Sequence, residues 1–424
     1  MRTKRLRPVA LAVAATIVAA LLVLNLSIGD KQIDQRFQRI YTIADPQFER
    51  TMGVILGPDL APGNKVQPLL NGEQIFPAML GAIRSARHSI TFETYIFWSG
   101  RIGQEFVDAL TERARAGVRV HVLLDWIGGQ LDDAQLRHLQ NNGVHVRRYN
   151  TPHWYNLHLL NNRTHRKLLV VDGQIGFTGG VGIADLWRGN GQHPTQWRDT
   201  HFQVQGPVVG HMQAAFIDNW LQATGEVLHG DAYLPPLQAA GSQKAQVFTS
   251  SPGGGAESMQ LMYLLSITSA AKVIRMSAAY FVPDTVAVNA LVAAVRRGVK
   301  VQIILPGEHL DWEIVRRASR ATWGPLLRAG VEIHEYVPSM YHAKVMIVDD
   351  LWVSVGSTNF DARSFAINDE ANLNIYDRQF AADQHAIFEQ DLRRSRRVTL
   401  AEWESRGALD KLLDAGAGLI SSQL

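Results

Sequence analysis

The sequence predicts an α/β protein of two similar α/β/α lobes, packed about a pseudo-twofold with a shared active-site cleft and preceded by an N-terminal transmembrane helix. Three observations carry that expectation. Strand-like and helix-like segments alternate through the body, one stretch of that pattern returns about 180 residues later, and the chain opens on basic residues followed by a long apolar run. The 424 residues, 46% hydrophobic and 19% charged, are enough to bury two cores without a disulfide or structural metal. Cys is absent, which excludes thiolate catalysis, iron–sulfur clusters and cysteine zinc sites.

At the N-terminus Arg2, Lys4, Arg5 and Arg7 precede an apolar run from Val9 to Ile28, broken by Thr16, Asn25 and Ser27. A run of about 20 residues matches the hydrocarbon thickness of a bilayer, and a secretory signal has a shorter apolar stretch and a small-residue cleavage site. The expectation is an uncleaved anchor over residues 1–29. Cations on its leading side predict a cytoplasmic N-terminus and a body outside the cytoplasm. Residues 30–62 read as a polar approach to the first lobe.

In the first lobe, residues 63–228, SITFETYIF has β-branched and aromatic strand character. Apolar residues at helical spacing follow from Ile102, then a strand at Val118–Asp125, a helix near Leu131 and a strand at Val144–Tyr149. The second lobe, residues 256–424, repeats the order. ALTERARAGVRVHVLLD and ALVAAVRRGVKVQIILP align without a gap, and NNGVHVRRY answers RAGVEIHEY. Between the lobes, residues 229–255 are rich in Gly, Ala, Ser and Pro and read as a linker. The apolar spacing of Leu400–Ile420 predicts a closing helix packed on the second lobe, with membrane contact as a second use.

Each lobe leads to the same constellation: His165, Lys167 and Asp172 in HRKLLVVD, and His342, Lys344 and Asp349 in HAKVMIVD. With 15 His in the chain and only nine Lys, composition alone gives roughly 0.02 copies of this spacing, so two copies are not accidental. Residues two apart on a strand share a face, so each His–Lys pair points one way. Two imidazoles and two ammonium groups meeting in one cleft suit phosphoryl transfer. One neutral imidazole attacks phosphorus, the other protonates the leaving oxygen, and the lysines hold the non-bridging oxygens, with no metal or other cofactor required. Asp172 and Asp349 stand where a strand turns, a position at which Asp caps backbone.

The paired motifs, with GSTN after the second, resemble the phospholipase D superfamily, and GEQIFPAMLGAI, FTGGVGIAD, WRDTHFQVQGP and GSTNFDARSFAINDEANL resemble bacterial cardiolipin synthases. The resemblance runs from about Gly63 to the C-terminus. It implies a phosphatidyltransferase making cardiolipin from phosphatidylglycerol, or another phosphatidyl donor, in a bacterial inner membrane, through a phosphohistidine on His165 with His342 as acid and then base. It implies phosphate binding by Lys167, Lys344, Asn359 and Ser357. It also implies a downstream carboxylate that orients each histidine, matched by Glu370 and, at longer spacing from His165, by Asp199. In GGVGI, Gly180 and Gly182 stand where many relatives have a Ser or Gly and then Asn, so fewer phosphate donors come from that side.

Trp154, His158, Arg163, Arg166, Trp187, Arg188, Trp197 and Arg198 surround the first motif with aromatic and cationic groups that suit a lipid headgroup, though loop packing uses the same residues. His193 and His201 lack a repeated metal-ligand spacing. The competing functions are a phospholipase with water as acceptor, a nuclease, and a non-catalytic lipid-binding protein. A net charge of only +3 and the anchor argue against nucleic acid as partner, and two complete motifs argue against a non-catalytic protein.

Overall fold

A computed structural model describes residues 11–20, 39, 41–152, 161–252 and 256–421 of the protein, with the side chains of residues 256–258 excepted. Most of the expected anchor lies outside these residues; residues 11–20 are helical, and no helix among the described residues is long and apolar enough to cross a membrane. Trp154 and His158 also lie outside them.

The strands of the first half are β1 (Ala61–Leu70), β2 (Ser89–Thr94), β3 (Arg119–Asp125), β4 (Val144–Tyr149), β5 (Leu168–Val171), β6 (Ile175–Gly179), β7 (Trp197–Arg198) and β8 (Thr200–Gln205). Those of the second are β9 (Gln243–Ser250), β10 (Val273–Ser277), β11 (Phe281–Val282), β12 (Lys300–Pro306), β13 (Glu332–Tyr336), β14 (Met340–Tyr341), β15 (Val345–Val348), β16 (Trp352–Gly356), β17 (Phe360–Asp361), β18 (Glu370–Tyr376) and β19 (Ser395–Val398). Fifteen of them form one sheet in the order β19-β13-β12-β10-β15-β16-β18-β9-β1-β8-β6-β5-β2-β3-β4. Read outward from the β9–β1 seam, the two sides match strand for strand, with β19 added at one edge. The sheet is mixed. β2, β3 and β4 run parallel, as do β10, β12 and β13, because helices Arg101–Arg115, Asp133–Asn141, Thr285–Arg296 and Glu313–Ala329 carry the chain back between them. The other neighbours in the large sheet pair antiparallel, with short turns joining β5 to β6 and β15 to β16.

This symmetry revises the domain reading at two places. Residues 229–255 hold β9, which pairs with β18 over seven residues and is the counterpart of β1. The second repeat therefore begins inside the expected linker. The end of the approach segment is not a spacer either. Ile43, Phe48, Met52, Leu56 and Leu60 are buried in the core of the second half, with the Phe48 ring 5.0 Å from Trp352. The predicted closing helix is two helices, Leu400–Glu404 and Ala408–Gly418.

Helices cover both faces of the sheet. One core joins helices Asn71–Ser85 and Arg101–Arg115 to β2 and β3. Another crosses the seam, uniting Val66, Phe202 and Met212 with Val247, Leu373 and Phe380. That shared apolar layer holds the two halves in fixed register, and burying such side chains is worth about 1.5–3 kcal/mol each.

Candidate active site

His165 and His342 lie just before β5 and β15, on segments that add to no strand of their own half. Instead each is clamped by the other half. The His165 amide donates to the Asp369 carbonyl at 2.8 Å, and the Asp369 amide to Arg163 at 2.8 Å. In mirror image, β14 pairs with β7 and the His342 amide donates to Arg198 at 2.7 Å.

The carboxylates cross in the same way. Nδ1 of His165 lies 2.8 Å from Oε1 and 3.0 Å from Oε2 of Glu370, and Nδ1 of His342 lies 2.7 Å from Oδ2 of Asp199. Spacing along the chain sets each carboxylate against the histidine of its own half; the fold sets it against the other. Both acids are fully buried. Burial pushes Glu370 up, but His165 and Lys167 outweigh it and hold the carboxyl below its usual range; His342 and Lys344 do the same for Asp199. An ionised carboxylate can only accept, so each Nδ1 carries the hydrogen and each Nε2 keeps its lone pair.

Lys167 Nζ donates to the His165 carbonyl at 2.7 Å and lies 5.7 Å from the centre of the Tyr95 ring. Lys344 Nζ donates to the His342 carbonyl at 2.9 Å and stands 3.3 Å from both nitrogens of the His342 ring. Burial, then the charge of Lys167 and Lys344 against the pull of Glu370, lowers His165 to about 4. Burial and then Lys344 lower His342. Burial lowers Lys167 to about 7, with Lys344 adding to the fall. Because the charge of Lys344 bears on both His165 and Lys167, the two pairs share one electrostatic space.

Asp172 and Asp349 turn away from this space. Asp172 accepts from the amides of Arg87, His88 and Ser89, and Asp349 from those of Ala271, Lys272 and Val273, at 2.7–3.2 Å. The motif Asp therefore ties its turn to the start of β2 or β10. It caps a neighbouring strand rather than its own backbone and does not join the histidines. Both residues sit at positive φ, 52° and 54°, which Asp tolerates better than bulkier residues.

The Ser357 hydroxyl is also engaged. It donates to Glu370 at 2.5 Å and accepts from the Ala371 amide at 3.0 Å, so it steadies the carboxylate rather than facing the cleft. Asn359 is buried with its side-chain oxygen unpartnered among the described residues. Its counterpart Gly182 has no room for a side chain, since a Cβ there would meet Ile96 at 2.7 Å. At Gly180 a Cβ would meet Asp199 at 2.4 Å, and the donor missing there is replaced by Trp187, whose Nε1 donates to Asp199 at 2.9 Å. Trp197 and Trp187 pack on the His342 ring at 5.0 and 5.4 Å, while Tyr95 packs on His165 at 5.3 Å. His193 is exposed and bonded to Thr195, His201 is buried beside Gly179, and no cluster fit to hold a metal occurs among the described residues.

Comparison with known proteins agrees with this geometry. The family model described as cardiolipin synthase, PLD-like domain matches residues 79–186 and 263–392, one segment in each repeat. The chain belongs to that family. It is 35% identical to cardiolipin synthase A of Pseudomonas syringae over 365 residues, covering 84% of this chain and 74% of that one. It is 32% identical to the cardiolipin synthase of Alkalihalophilus pseudofirmus, covering 85% and 72%. Among solved structures, phosphatidylserine synthase of Haemophilus influenzae aligns over 89% of this chain and 100% of its own with a TM-score of 0.67 at 14% identity, a likeness of fold. Within this family of duplicated PLD-like folds, Asp391, Tyr341, Thr164 and Glu93 form the buried polar support behind the histidines. The sequence reading passed over these four; the signal was a polar residue inside an otherwise apolar strand or helix face.

Proposed function

We propose that this protein is a phosphatidyltransferase that joins two phosphatidylglycerol molecules into cardiolipin and releases glycerol. The observation that carries the reading is the pair of imidazoles, each oriented through Nδ1 by a buried carboxylate of the opposite half and backed by a buried lysine. Membership in the cardiolipin synthase family supports the substrate.

His165 is neutral near pH 7 and presents the Nε2 lone pair. It attacks phosphorus of the donor lipid, the P–N bond forms, and the bond to the glycerol oxygen breaks as His342 gives that oxygen a proton. Both lysines and the Asn359 amide hold the non-bridging oxygens as charge builds on them. Burial and then Lys344, which stands over its ring, hold His342 low. An arriving phosphate anion offsets that charge and raises His342 toward the protonated form the first step needs. In the second step His342, now neutral, takes a proton from the hydroxyl of a second phosphatidylglycerol. That oxygen bonds phosphorus, the P–N bond breaks, and His165 is regenerated. Residues 1–29 anchor the enzyme in the inner membrane, with its body outside the cytoplasm.

The test is product analysis on phosphatidylglycerol vesicles: cardiolipin and glycerol in equal amounts from the intact chain. A fall of about 10⁴-fold or more is expected from His165→Ala or His342→Ala, measured on the fraction that circular dichroism shows to be folded. Phosphatidic acid as the main product, or near-full transfer by His165→Ala, overturns the reading.

A further inference from the structure

The helix Ala408–Gly418 is built inside out. Leu409, Leu412 and Leu413 on it, with Leu419 and Ile420 just after, are 68%, 68%, 44%, 86% and 47% exposed. Their spacing makes one stripe along the helix, the side that ordinarily turns to a core. The inward side carries Asp414 and Ala417, both buried. Asp414 meets Arg406, lies 3.5 Å from Arg317 and 3.9 Å from Arg320, and Ala417 packs on Val315 and Ala318. These ion pairs fix the rotation of the helix, so the leucines face outward by construction. An apolar stripe of this kind on a folded surface marks a partner.

Three features identify the partner as lipid. The supporting helix, Glu313–Ala329, begins after Trp312, which is 61% exposed. Trp312 and Val315 line a groove with Tyr280, Phe281 and Met340, two residues before His342. Val315 both lines this groove and packs with Ala417 of the leucine-bearing helix, so the groove and that helix are neighbours. Lys411 is exposed on the leucine-bearing helix, and Arg393, Arg394 and Arg397 are exposed on the turn and strand that lead into the closing segment, cations that suit an anionic headgroup layer.

We propose that the Leu409–Ile420 face seats on a bilayer of anionic phospholipid, with Trp312 at the headgroup level, and so sets the groove mouth against the lipid it draws in. This rests on the lipid reading above. An amphipathic helix lying in the interface holds through its buried apolar area and the pull of anionic lipid on nearby cations.

Because the chain has no Cys, Leu412→Cys takes an environment-sensitive fluorophore at one position in the full chain. On vesicles of phosphatidylglycerol and phosphatidylethanolamine, the emission is expected to shift to the blue and to be quenched by brominated acyl chains. Unchanged emission overturns the proposal. A blue shift that needs no vesicles and grows with protein concentration also overturns it, in favour of a second copy on this face. This readout needs no turnover, so its failure is separable from failure of the proposed reaction. As a second measurement, the triple variant Leu409→Ser, Leu412→Ser, Leu413→Ser should lose about tenfold or more in transfer on vesicles. The same variant should act unchanged on a short-chain, water-soluble phosphatidylglycerol. Equal loss on both substrates, or none on vesicles, overturns it.

Discussion

Behind His165 the fold buries Glu93, Thr164, Arg166, Asn219 and Asp369, whereas the matching space behind His342 holds Ser277, Tyr341, Arg198 and Asp391. The second set is one closed network: Arg198 grips Asp391 through two bonds of 3.0 and 2.8 Å, and the Tyr341 hydroxyl donates to the same carboxylate at 3.0 Å. The first set is looser. Thr164 and Asn219 both donate to one oxygen of Glu93, and Arg166 reaches Asp369 only at 3.8 Å. Burial raises Glu93 to about 7 despite Arg166, so this support changes charge near neutrality. Equal strand order with unequal polar interiors teaches that the repeat preserves where the imidazoles stand and leaves their backing free to diverge.

The largest effects should come from the crossed carboxylates. Glu370→Gln and Asp199→Asn each remove the anion that fixes an Nδ1 hydrogen, and each is expected to lower kcat about 10³-fold with a modest change in KM. A loss confined to one of the two would show that only one histidine needs its acid. Next come the buried ion pairs. Arg198→Met leaves Asp391 charged and unpaired, and should cost about 3–5 kcal/mol in denaturant unfolding. Arg166→Met, with the longer contact to its acid, should cost less; equal costs would break the contrast between the halves.

Glu93 allows a pH test of the same contrast. A raised carboxyl holds its proton in the folded state while the unfolded chain has released it, so its contribution is lost as pH rises from about 4.5 to 7. Glu93→Gln should therefore gain on the parent by a few kcal/mol across that window. The neutral His165, lowered to about 4, works the other way, its contribution falling as pH drops from about 6.5 to 4. The smallest effects belong to the turn caps. Asp172→Ala and Asp349→Ala should each lose about 2 kcal/mol of stability, with kcat of the folded fraction unchanged. A selective loss of kcat at Asp172 would place it in the chemistry after all.

Much of this was legible in the chain because repetition supplies its own control. His165, Lys167, His342 and Lys344 stand out since one spacing occurs twice, and the gapless match of Ala109–Asp125 with Ala290–Pro306 predicts twinned helix–strand units that the fold contains. What did not read was whatever depends on contacts between the halves. Nothing in the order of residues says that Glu370 serves His165, because the seam that brings them together is made by β9, whose short QKAQVFTS run sits in a stretch rich in Gly, Ala, Ser and Pro that looks like a linker. The burial of Phe48 and Met52 was likewise hidden, since a helix of six residues gives too few positions to show a period. Trp187 appears only as one aromatic among many until Gly180 is seen to leave Asp199 without a hydroxyl partner.

The crossing of Glu370 and Asp199 also speaks to ancestry. A single repeat carries imidazole, ammonium and carboxylate, yet cannot bring its own acid to its own ring. An unduplicated precursor could thus have worked only as two copies lying face to face. Fusion made that partnership permanent, and once permanent, the two sides were free to grow unlike each other.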